Sequence, residues 1–154
     1  MPHLHEKVDF TVEVFIVYKN TVLLRMHDKY KIWLSVGGHI ELDEDPIQAA
    51  VREVKEEVGL DIKIVGPTLN FDEQNYQELF PPKFLNRHAV NEEHTHVTMT
   101  YFATTENNQT RQGEVEKSDA IRWFTHEELY DPNYGIRANI KHYAQSALEE
   151  LGSV

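Results

Sequence analysis

The chain has 154 residues, 26 acidic against 15 basic side chains for a formal net charge of −11, and no cysteine. This length fits one domain, predicted here to span residues 1–154, and a domain of that size buries roughly 68–70% of its unfolded surface without metal or disulfide support. The composition excludes disulfides and cysteine-based zinc sites or nucleophiles, and the acidic charge argues against a nucleic-acid polymer as partner, because such binding needs a basic face.

The sequence shows no signal for export or membrane insertion. Its first ten residues, MPHLHEKVDF, lack a basic stretch followed by an apolar one, and no apolar run approaches the ~18 residues of a membrane span. We therefore expect a cytoplasmic protein that does not bind a membrane. An acidic protein that handles phosphates must also bring its own cations.

The first half of the chain begins with a predicted β-hairpin. Residues 9–18 alternate apolar with polar side chains and are rich in β-branched and aromatic types, Lys19-Asn20 makes a short turn, and 21–26 forms the return strand. A polar loop leads to a short strand at 32–36. Gly37-Gly38 then lets the backbone bend and approach a ligand closely.

A helix with well-marked ends is predicted over residues 46–58. Asp45 is a good N-cap, Pro46 occupies the first helical position, Gln48 completes a capping box, and Gly59 supplies a left-handed stop. At 100° per residue, the apolar stripe that faces a core consists of Ile47, Ala50, Val51, Val54 and Val58.

The second half of the chain continues with strands and ends in a helix. Residues 68–93 form a polar, aromatic-containing segment interrupted by Pro81-Pro82, with a short strand within it. The predicted strands are 61–65, 84–90, 96–104 and 120–124, followed by a helix of about one turn after Thr125 and a final helix at 136–151. This order predicts a mixed α/β sheet with the 46–58 helix on one face.

Three glutamates of the 46–58 helix share one face. Glu53, Glu56 and Glu57 stand at i, i+3 and i+4, where like charges cost roughly 0.2–0.5 kcal/mol per pair. A hard divalent cation that takes oxygen ligands would explain why they converge. The alternative is a solvated acidic face, partly neutralised by Arg52 and Lys55.

A longer pattern surrounds these glutamates. From Gly38 the sequence reads glycine, five residues, Glu44, seven residues, and then Arg52-Glu53-Val54-Lys55-Glu56-Glu57-Val58-Gly59-Leu60. This resembles the Nudix box, G-x5-E-x7-R-E-U-x-E-E-x-G-U with U a bulky aliphatic residue, at all nine specified positions. The chain thus resembles the Nudix (MutT-like) hydrolase family. The resemblance implies an α/β (α+β) Nudix fold, an α/β/α sandwich around a mixed β-sheet.

The resemblance also implies an activity. Family members use a divalent metal to hydrolyse the pyrophosphate bond of a nucleoside diphosphate linked to another moiety. Nucleotide sugars, ADP-ribose-like compounds, dinucleoside polyphosphates and modified nucleoside triphosphates all stay open as substrates. The alternative is a catalytically silent nucleotide-binding or regulatory module, which would usually have lost box glutamates. Family members are often dimers, so a homodimer is a further expectation.

Several residue roles follow from the resemblance. The expected ligands for Mg2+ or Mn2+ are Gly38, through its carbonyl, Glu53, Glu56 and Glu57. Arg52 resembles the residue that orients a catalytic glutamate, and an i,i+4 ion pair with Glu56 is available to it. Glu44 either supports the metal site or loop, or places negative charge at the helix N-terminus.

The general base has several candidates. Glu53 is one, and Glu114 and Glu116 are the first candidates outside the box. Glu92 and Glu93 come second. A glutamate in a polar loop is more often simply solvated.

Substrate-binding residues are expected outside the box. The candidates are Arg25 for the phosphates of the substrate, and Tyr76, Phe80 and His96 for the rest of it. Trp33 and Phe84 are instead expected in the core. Tyr76 lies about 16 residues after Leu60, near a position where some dinucleoside-polyphosphate hydrolases carry a tyrosine. His94 and His96 share a face if their strand begins early, but with no cysteine and no further ligand in register they do not predict a zinc site.

Overall fold

A computed structural model describes residues 7–27, 29–111 and 120–153. Its described strands are β1 (Val8–Tyr18), β2 (Thr21–Met26), β3 (Trp33–Leu34), β4 (Val36–His39), β5 (Lys63–Val65), β6 (Phe84–Asn91), β7 (His94–Thr104) and β8 (Ala120–Phe124). The helices are α1 (Pro46–Val58), α2 (His126–Leu129) and α3 (Ala138–Leu151), with a 3-10 turn at Pro132–Tyr134.

The sheet is organised around one parallel pair of strands. Residues 8–17 of β1 pair in parallel with residues 95–104 of β7. The other edge of β1 is divided, because β4 pairs with residues 11–14 and β2 with residues 17 and 18. On the far edge of β7, β6 and β5 divide the strand in the same way. β8 extends the sheet beyond β2, and β3 pairs with residues 25 and 26 on the other edge of β2. Mixed pairing of this kind confirms the predicted sheet.

A helix covers each face of this sheet. Because side chains alternate along a strand, Val12, Val14 and Ile16 of β1 point to one face and pack in a core with the apolar residues of α1. Phe15 and Val17 point to the other face and pack in a second core with α3. These two cores, one against each helix, confirm the α/β/α sandwich.

The α3 face of the sheet is apolar at one end and polar at the other. Beneath α3 it carries aromatic residues such as Phe15 and Phe102, whose rings meet edge to face with centroids 6.4 Å apart. Toward the start of β1 the same face carries polar side chains, brought into line by the strand registers: Asp9, Thr11, Glu13, His39, Asn86, His88, His96, Thr98 and Thr100. The polar end is therefore left for a ligand.

The helix α1 begins and ends where the sequence predicts. The Asp45 carboxylate accepts a hydrogen bond from the Gln48 backbone N–H at 2.8 Å, the Gln48 side chain accepts one from the Asp45 N–H at 2.9 Å, and Gly59 has a φ of 73°. The predicted apolar stripe is wrong at Val51, which is 42% exposed. The buried face is rotated toward Ala49, Glu53 and Glu57, because α1 lies against β4.

Other elements differ from expectation in their bounds. The predicted strand 32–36 is divided into β3 and β4, and β4 continues through Gly37-Gly38, which were expected to bend. Both glycines pair in register with β1, and this pairing keeps them extended. The last helix begins at Ala138, because Arg137 is extended with a ψ of 153°. No helix among the described residues has the length and apolar character to cross a membrane.

The N-cap of α1 gives a first prediction. Asp45→Ala removes the side-chain acceptor for the Gln48 N–H, so we expect the free energy of unfolding to fall by about 0.5–2 kcal/mol. Urea denaturation measures it. Asp43→Ala, at an exposed position two residues earlier, is the matched control and should change stability little. Equal losses in both variants would contradict a specific role for the cap.

Candidate active site

Two glutamates of α1 lie directly over the glycines of β4. Glu57 Oε1 accepts a hydrogen bond from the Gly37 N–H at 2.8 Å. A Cβ atom on Gly38 would stand 2.5 Å from Glu53 Cδ and Oε1, so only glycine leaves room for that carboxylate. Glu53 and Glu57 are only 5% and 2% exposed, whereas Glu56 is largely exposed. The strand and the helix thus hold two buried carboxylates side by side.

Arg52 ties the helix to the loop before it. Its guanidinium donates to both carboxylate oxygens of Glu44, at 2.6 and 3.0 Å, to Glu53 Oε1 at 2.9 Å and to Glu56 Oε2 at 3.2 Å. It also donates to the His39 carbonyl at 2.9 Å. The hydrogen bond from Arg52 lowers the pKa of Glu44, and the bond to Glu44 in turn raises the pKa of Arg52. Arg52 therefore orients three carboxylates at once.

Carboxylates outnumber arginines among the described contacts of the cluster. Glu57 pairs with Arg25 at 2.6 Å, and Arg52 contacts Glu44, Glu53 and Glu56, so two guanidinium groups meet four glutamates. Carboxylate oxygens are the donors that hard divalent cations prefer. The residues present fit the predicted metal.

A cavity adjoins these carboxylates on the α3 face of the sheet. It has a volume of about 420 Å³ and includes Arg25, Gly37 and Gly38 in its wall, and these three residues also contact Glu53 or Glu57. Strands β1, β4, β6 and β7 supply most of its lining, and Arg137 and Asn139 enter from the start of α3. A second depression of about 570 Å³ lies by Asn20, Thr125 and Leu148, near the opposite end of β1.

The cavity contains a partly buried carboxyl group, Glu13, that was not predicted from the sequence. Glu13 accepts hydrogen bonds from Thr100 Oγ1 at 2.7 Å and from Ser35 Oγ at 2.9 Å. Burial raises the pKa of Glu13, and the two hydroxyl hydrogen bonds act against that rise. Beside it, the Thr11 and Thr98 hydroxyls are hydrogen-bonded at 2.7 Å. The wall of the cavity is therefore polar and internally ordered.

Two of the predicted substrate-binding residues lie at the cavity and two lie elsewhere. Arg25 and His96 are in its lining. Tyr76 is exposed, donates to Glu78 at 2.7 Å and contacts Phe71 edge to face. Phe80 packs against the α1-side core and beside Gly66. Trp33 is buried, as expected.

Of the four candidate bases outside the box, two are exposed and two lie outside the described residues. Glu92 and Glu93 are exposed in the turn between β6 and β7. Glu114 and Glu116 lie outside the described residues. Their role as base stays a prediction.

The sequence analysis missed Glu13, Ser35, Arg137 and Asn139 as cavity residues. One available signal was the alternation in β1, where Thr11 and Glu13 interrupt an otherwise apolar strand on the face opposite Val12 and Val14. A charged residue in the middle of such a strand indicates a polar cavity. For Arg137 and Asn139 no local signal existed, since only the packing of α3 brings them there.

The two glycines of β4 predict losses of stability of different size for the same substitution. In Gly37→Ala the new Cβ would stand 2.0 Å from the Val12 carbonyl oxygen, a backbone atom, so we expect a loss of about 1–3 kcal/mol in the free energy of unfolding. In Gly38→Ala it meets only the Glu53 side chain, which can move, so the loss should be smaller. Urea denaturation of both variants measures the difference, and equal losses would contradict it.

Comparison with known proteins agrees with this geometry. Residues 9–145 match the family model of the NUDIX domain. A NUDIX-family hydrolase from Clostridium perfringens superposes with a TM-score of 0.83 at 36% identity, covering 92% of this chain and 97% of that one. A Caenorhabditis elegans Ap4A hydrolase in a binary complex shares the fold, with a TM-score of 0.65 at 18% identity over 92% of this chain and 98% of that one.

Among curated proteins, the chain is similar to two dihydroneopterin triphosphate diphosphatases. It is 40% identical over 89 residues to that of Haemophilus influenzae, which covers 54% of this chain and 55% of that protein. It is 46% identical over 44 residues to that of Escherichia coli K12, or 29% of each chain. The matches thus span about half or less of the length of these relatives. Together with the family match over most of the chain and the carboxylate cluster on α1, they show that the chain belongs to the NUDIX hydrolase family.

Proposed function

We propose that this protein hydrolyses a pyrophosphate bond in a nucleotide-type substrate with Mg2+ or Mn2+ held by Glu53, Glu56, Glu57 and the Gly38 carbonyl. The observation that carries the proposal is the convergence of Glu44, Glu53, Glu56 and Glu57 on two arginines and on the glycines of β4, which also line a cavity of about 420 Å³. Without a cation, an acidic site of this kind would repel a polyphosphate. A bound divalent ion supplies Lewis-acid stabilisation of the phosphate oxygens and lowers the pKa of a coordinated water.

The protein's own groups position the reacting parts. Arg52 fixes Glu44, Glu53 and Glu56 through four hydrogen bonds, and a fifth, to the His39 carbonyl, holds the arginine itself. The Gly37 N–H and Arg25 fix the two oxygens of Glu57. These contacts hold the oxygen donors before substrate arrives, so little reorganisation is needed during the reaction. Arg25 also lines the cavity, where its charge faces an incoming phosphate.

The proton from the attacking water needs an acceptor. Glu53 is one candidate because its carboxylate lies beside the other proposed ligands over Gly38. Glu114 and Glu116 are the candidates outside the box. The acceptor is the one whose replacement by glutamine removes the acidic limb of the kcat–pH profile without weakening metal binding.

The cavity suggests which organic group the substrate carries. Its volume falls within the range of small-molecule sites, roughly 300–1,000 Å³. The Glu13 carboxylate in its wall is an acceptor for two adjacent N–H donors, such as the amino and ring N–H groups of guanine or a pterin. The curated relatives bear the name of a pterin triphosphate substrate. We therefore propose a triphosphate with a 2-amino-4-oxo bicyclic ring as the preferred substrate.

The metal-dependent reaction is tested with a substrate panel. Dihydroneopterin triphosphate, GTP, ATP, ADP-ribose, a nucleotide sugar and a dinucleoside tetraphosphate are incubated with Mg2+, Mn2+ or chelator, and the release of phosphate, pyrophosphate or mononucleotide is measured. We expect turnover only with metal, and a fall of about 100-fold or more in kcat/KM for Glu53→Gln. The control is Glu127→Gln, at an exposed position on α2, which should match the unchanged protein.

Two outcomes would contradict this function. Turnover by Glu53→Gln at the rate of the control would show that this glutamate is not needed for hydrolysis. If nothing in the panel reacts while Mg2+ still raises the melting temperature, the site binds a cation and ligand without turnover.

The proposed role of Glu13 predicts a change of substrate preference. Glu13→Gln replaces one acceptor oxygen by a donor, so kcat/KM for GTP and dihydroneopterin triphosphate should fall about 10- to 100-fold, through loss of a hydrogen bond to a charged group. ATP, which lacks that pair of donors, should change less than about threefold. Steady-state kinetics with the three substrates measures the ratio, and an equal fall for all three would contradict the assignment. Because burial raises the pKa of Glu13, the preference should also weaken as pH falls.

A further inference from the structure

We propose that Asp9, His39, His94 and His96 form a second metal site, separate from the glutamate cluster and suited to Zn2+ or a similar transition metal. One candidate ligand atom from each of the four residues lies within 4.8 Å of all the others. The site draws on one carboxylate oxygen and three imidazole nitrogens, whereas the glutamate cluster offers only oxygen donors. It therefore needs an ion of a different kind from that of the box.

Strand register brings these four residues together from distant parts of the sequence. Asp9 pairs with His96 across β1 and β7, and His39 of β4 pairs with Thr11, two residues beyond Asp9 on the same face. His94 begins β7, so it shares a face with His96. All four side chains thus stand on strands of one sheet, which holds a site more rigidly than loops do.

The contacts within the group are those of a buried polar cluster. The Asp9 carboxylate contacts His94 Nε2 and lies 3.4 Å from His39 Nε2. The His96 ring lies 5.1 Å from that of His39 and 5.3 Å from that of His94, centroid to centroid. Asp9 is 1% exposed and His94 8% exposed. A carboxylate held this deeply among imidazoles is already desolvated for a cation.

The donor set selects the class of metal. Imidazole nitrogen suits Zn2+, Cu2+, Fe2+ and Ni2+, whereas Mg2+ takes oxygen ligands. Tetrahedral zinc binds nitrogen and oxygen at about 2.0–2.2 Å, so its ligand atoms stand about 3.5 Å apart. The four candidate ligand atoms lie within 4.8 Å of one another, so side-chain rotations that bring them closer by roughly 1 Å would reach that geometry. Three imidazoles and one carboxylate also complete the four ligands of a closed structural site.

Binding here would affect the cavity, because two of its ligands belong to the wall. His39 and His96 both line the cavity, and the His39 carbonyl accepts a hydrogen bond from Arg52 of the box. A metal that joins β1, β4 and β7 would fix that wall. The second ion therefore has a structural role beside the substrate, and the inference does not depend on which substrate is hydrolysed.

The experiment is zinc binding by the full chain after treatment with chelator. Isothermal titration with Zn2+, and visible absorption with Co2+ as a spectroscopic substitute, are carried out on the unchanged protein and on Glu53→Gln, His94→Gln, Asp9→Asn and His126→Gln. Besides any weaker binding at the box glutamates, we expect one tight equivalent of Zn2+ and an intense four-coordinate Co2+ spectrum in the unchanged protein, in Glu53→Gln and in the control His126→Gln, whose exposed histidine lies on α2. Affinity should fall about 10- to 100-fold or more in His94→Gln and Asp9→Asn.

Melting temperatures provide an independent measurement. Zn2+ should raise the melting temperature of Glu53→Gln, and adding His94→Gln to that variant should abolish the rise. If His94→Gln does not fold, His96→Gln takes its place. The proposal is overturned if the unchanged protein binds no stoichiometric Zn2+, if Glu53→Gln alone abolishes binding, or if the Asp9 and His94 variants bind as tightly as the control. The cluster would in those cases be held by its ion pairs and ring contacts alone.

Discussion

The close approach of α1 to the glycine strand β4 is the constraint on which the rest of the site depends. Two carboxylates, Glu53 and Glu57, lie against the backbone of this strand: Glu57 accepts a hydrogen bond from the Gly37 N–H, and a side chain on Gly38 would take the place of the Glu53 carboxylate. Burying charged groups costs free energy unless hydrogen bonds or opposite charges compensate. The Gly37 N–H, Arg25 and Arg52 supply such compensation. The convergence of these carboxylate oxygens makes the site suited to a cation.

Pairing between strands of the sheet fixes the position of the glycines relative to the cavity. Strand β1 pairs with β4 through residues 11–14, so the glycines cannot move away from Glu13 without breaking the ladder. The same strand places Glu13 in the wall of the cavity. The proposed metal ligands and the proposed recognition group for the ring are therefore held on opposite sides of one strand pair. Their separation is set by backbone hydrogen bonds rather than by flexible loops.

The sequence predicted the parts of this protein that local chemistry determines. Asp45, Gln48 and Gly59 mark the ends of α1 because caps act within one turn, and the box residues share a helix face by spacing alone. Val51 was misplaced because apolar periodicity cannot show that glutamates take the buried face. The cavity was missed for a related reason: Glu13, His39 and Arg137 come to share its wall only through strand register and the packing of α3. Register and packing are properties of the whole chain.

Side chains that alternate along β1 serve two different parts of the protein. Val12, Val14 and Ile16 belong to the α1-side core, whereas Asp9, Thr11 and Glu13 face the polar end of the other side. Substitutions at the second set change the polar end of the sheet and leave that core untouched. Evolution within this scaffold can therefore exchange one substrate for another at alternate positions of a single strand. A deletion of one residue there would do the reverse, since it would exchange the two faces and destroy both at once.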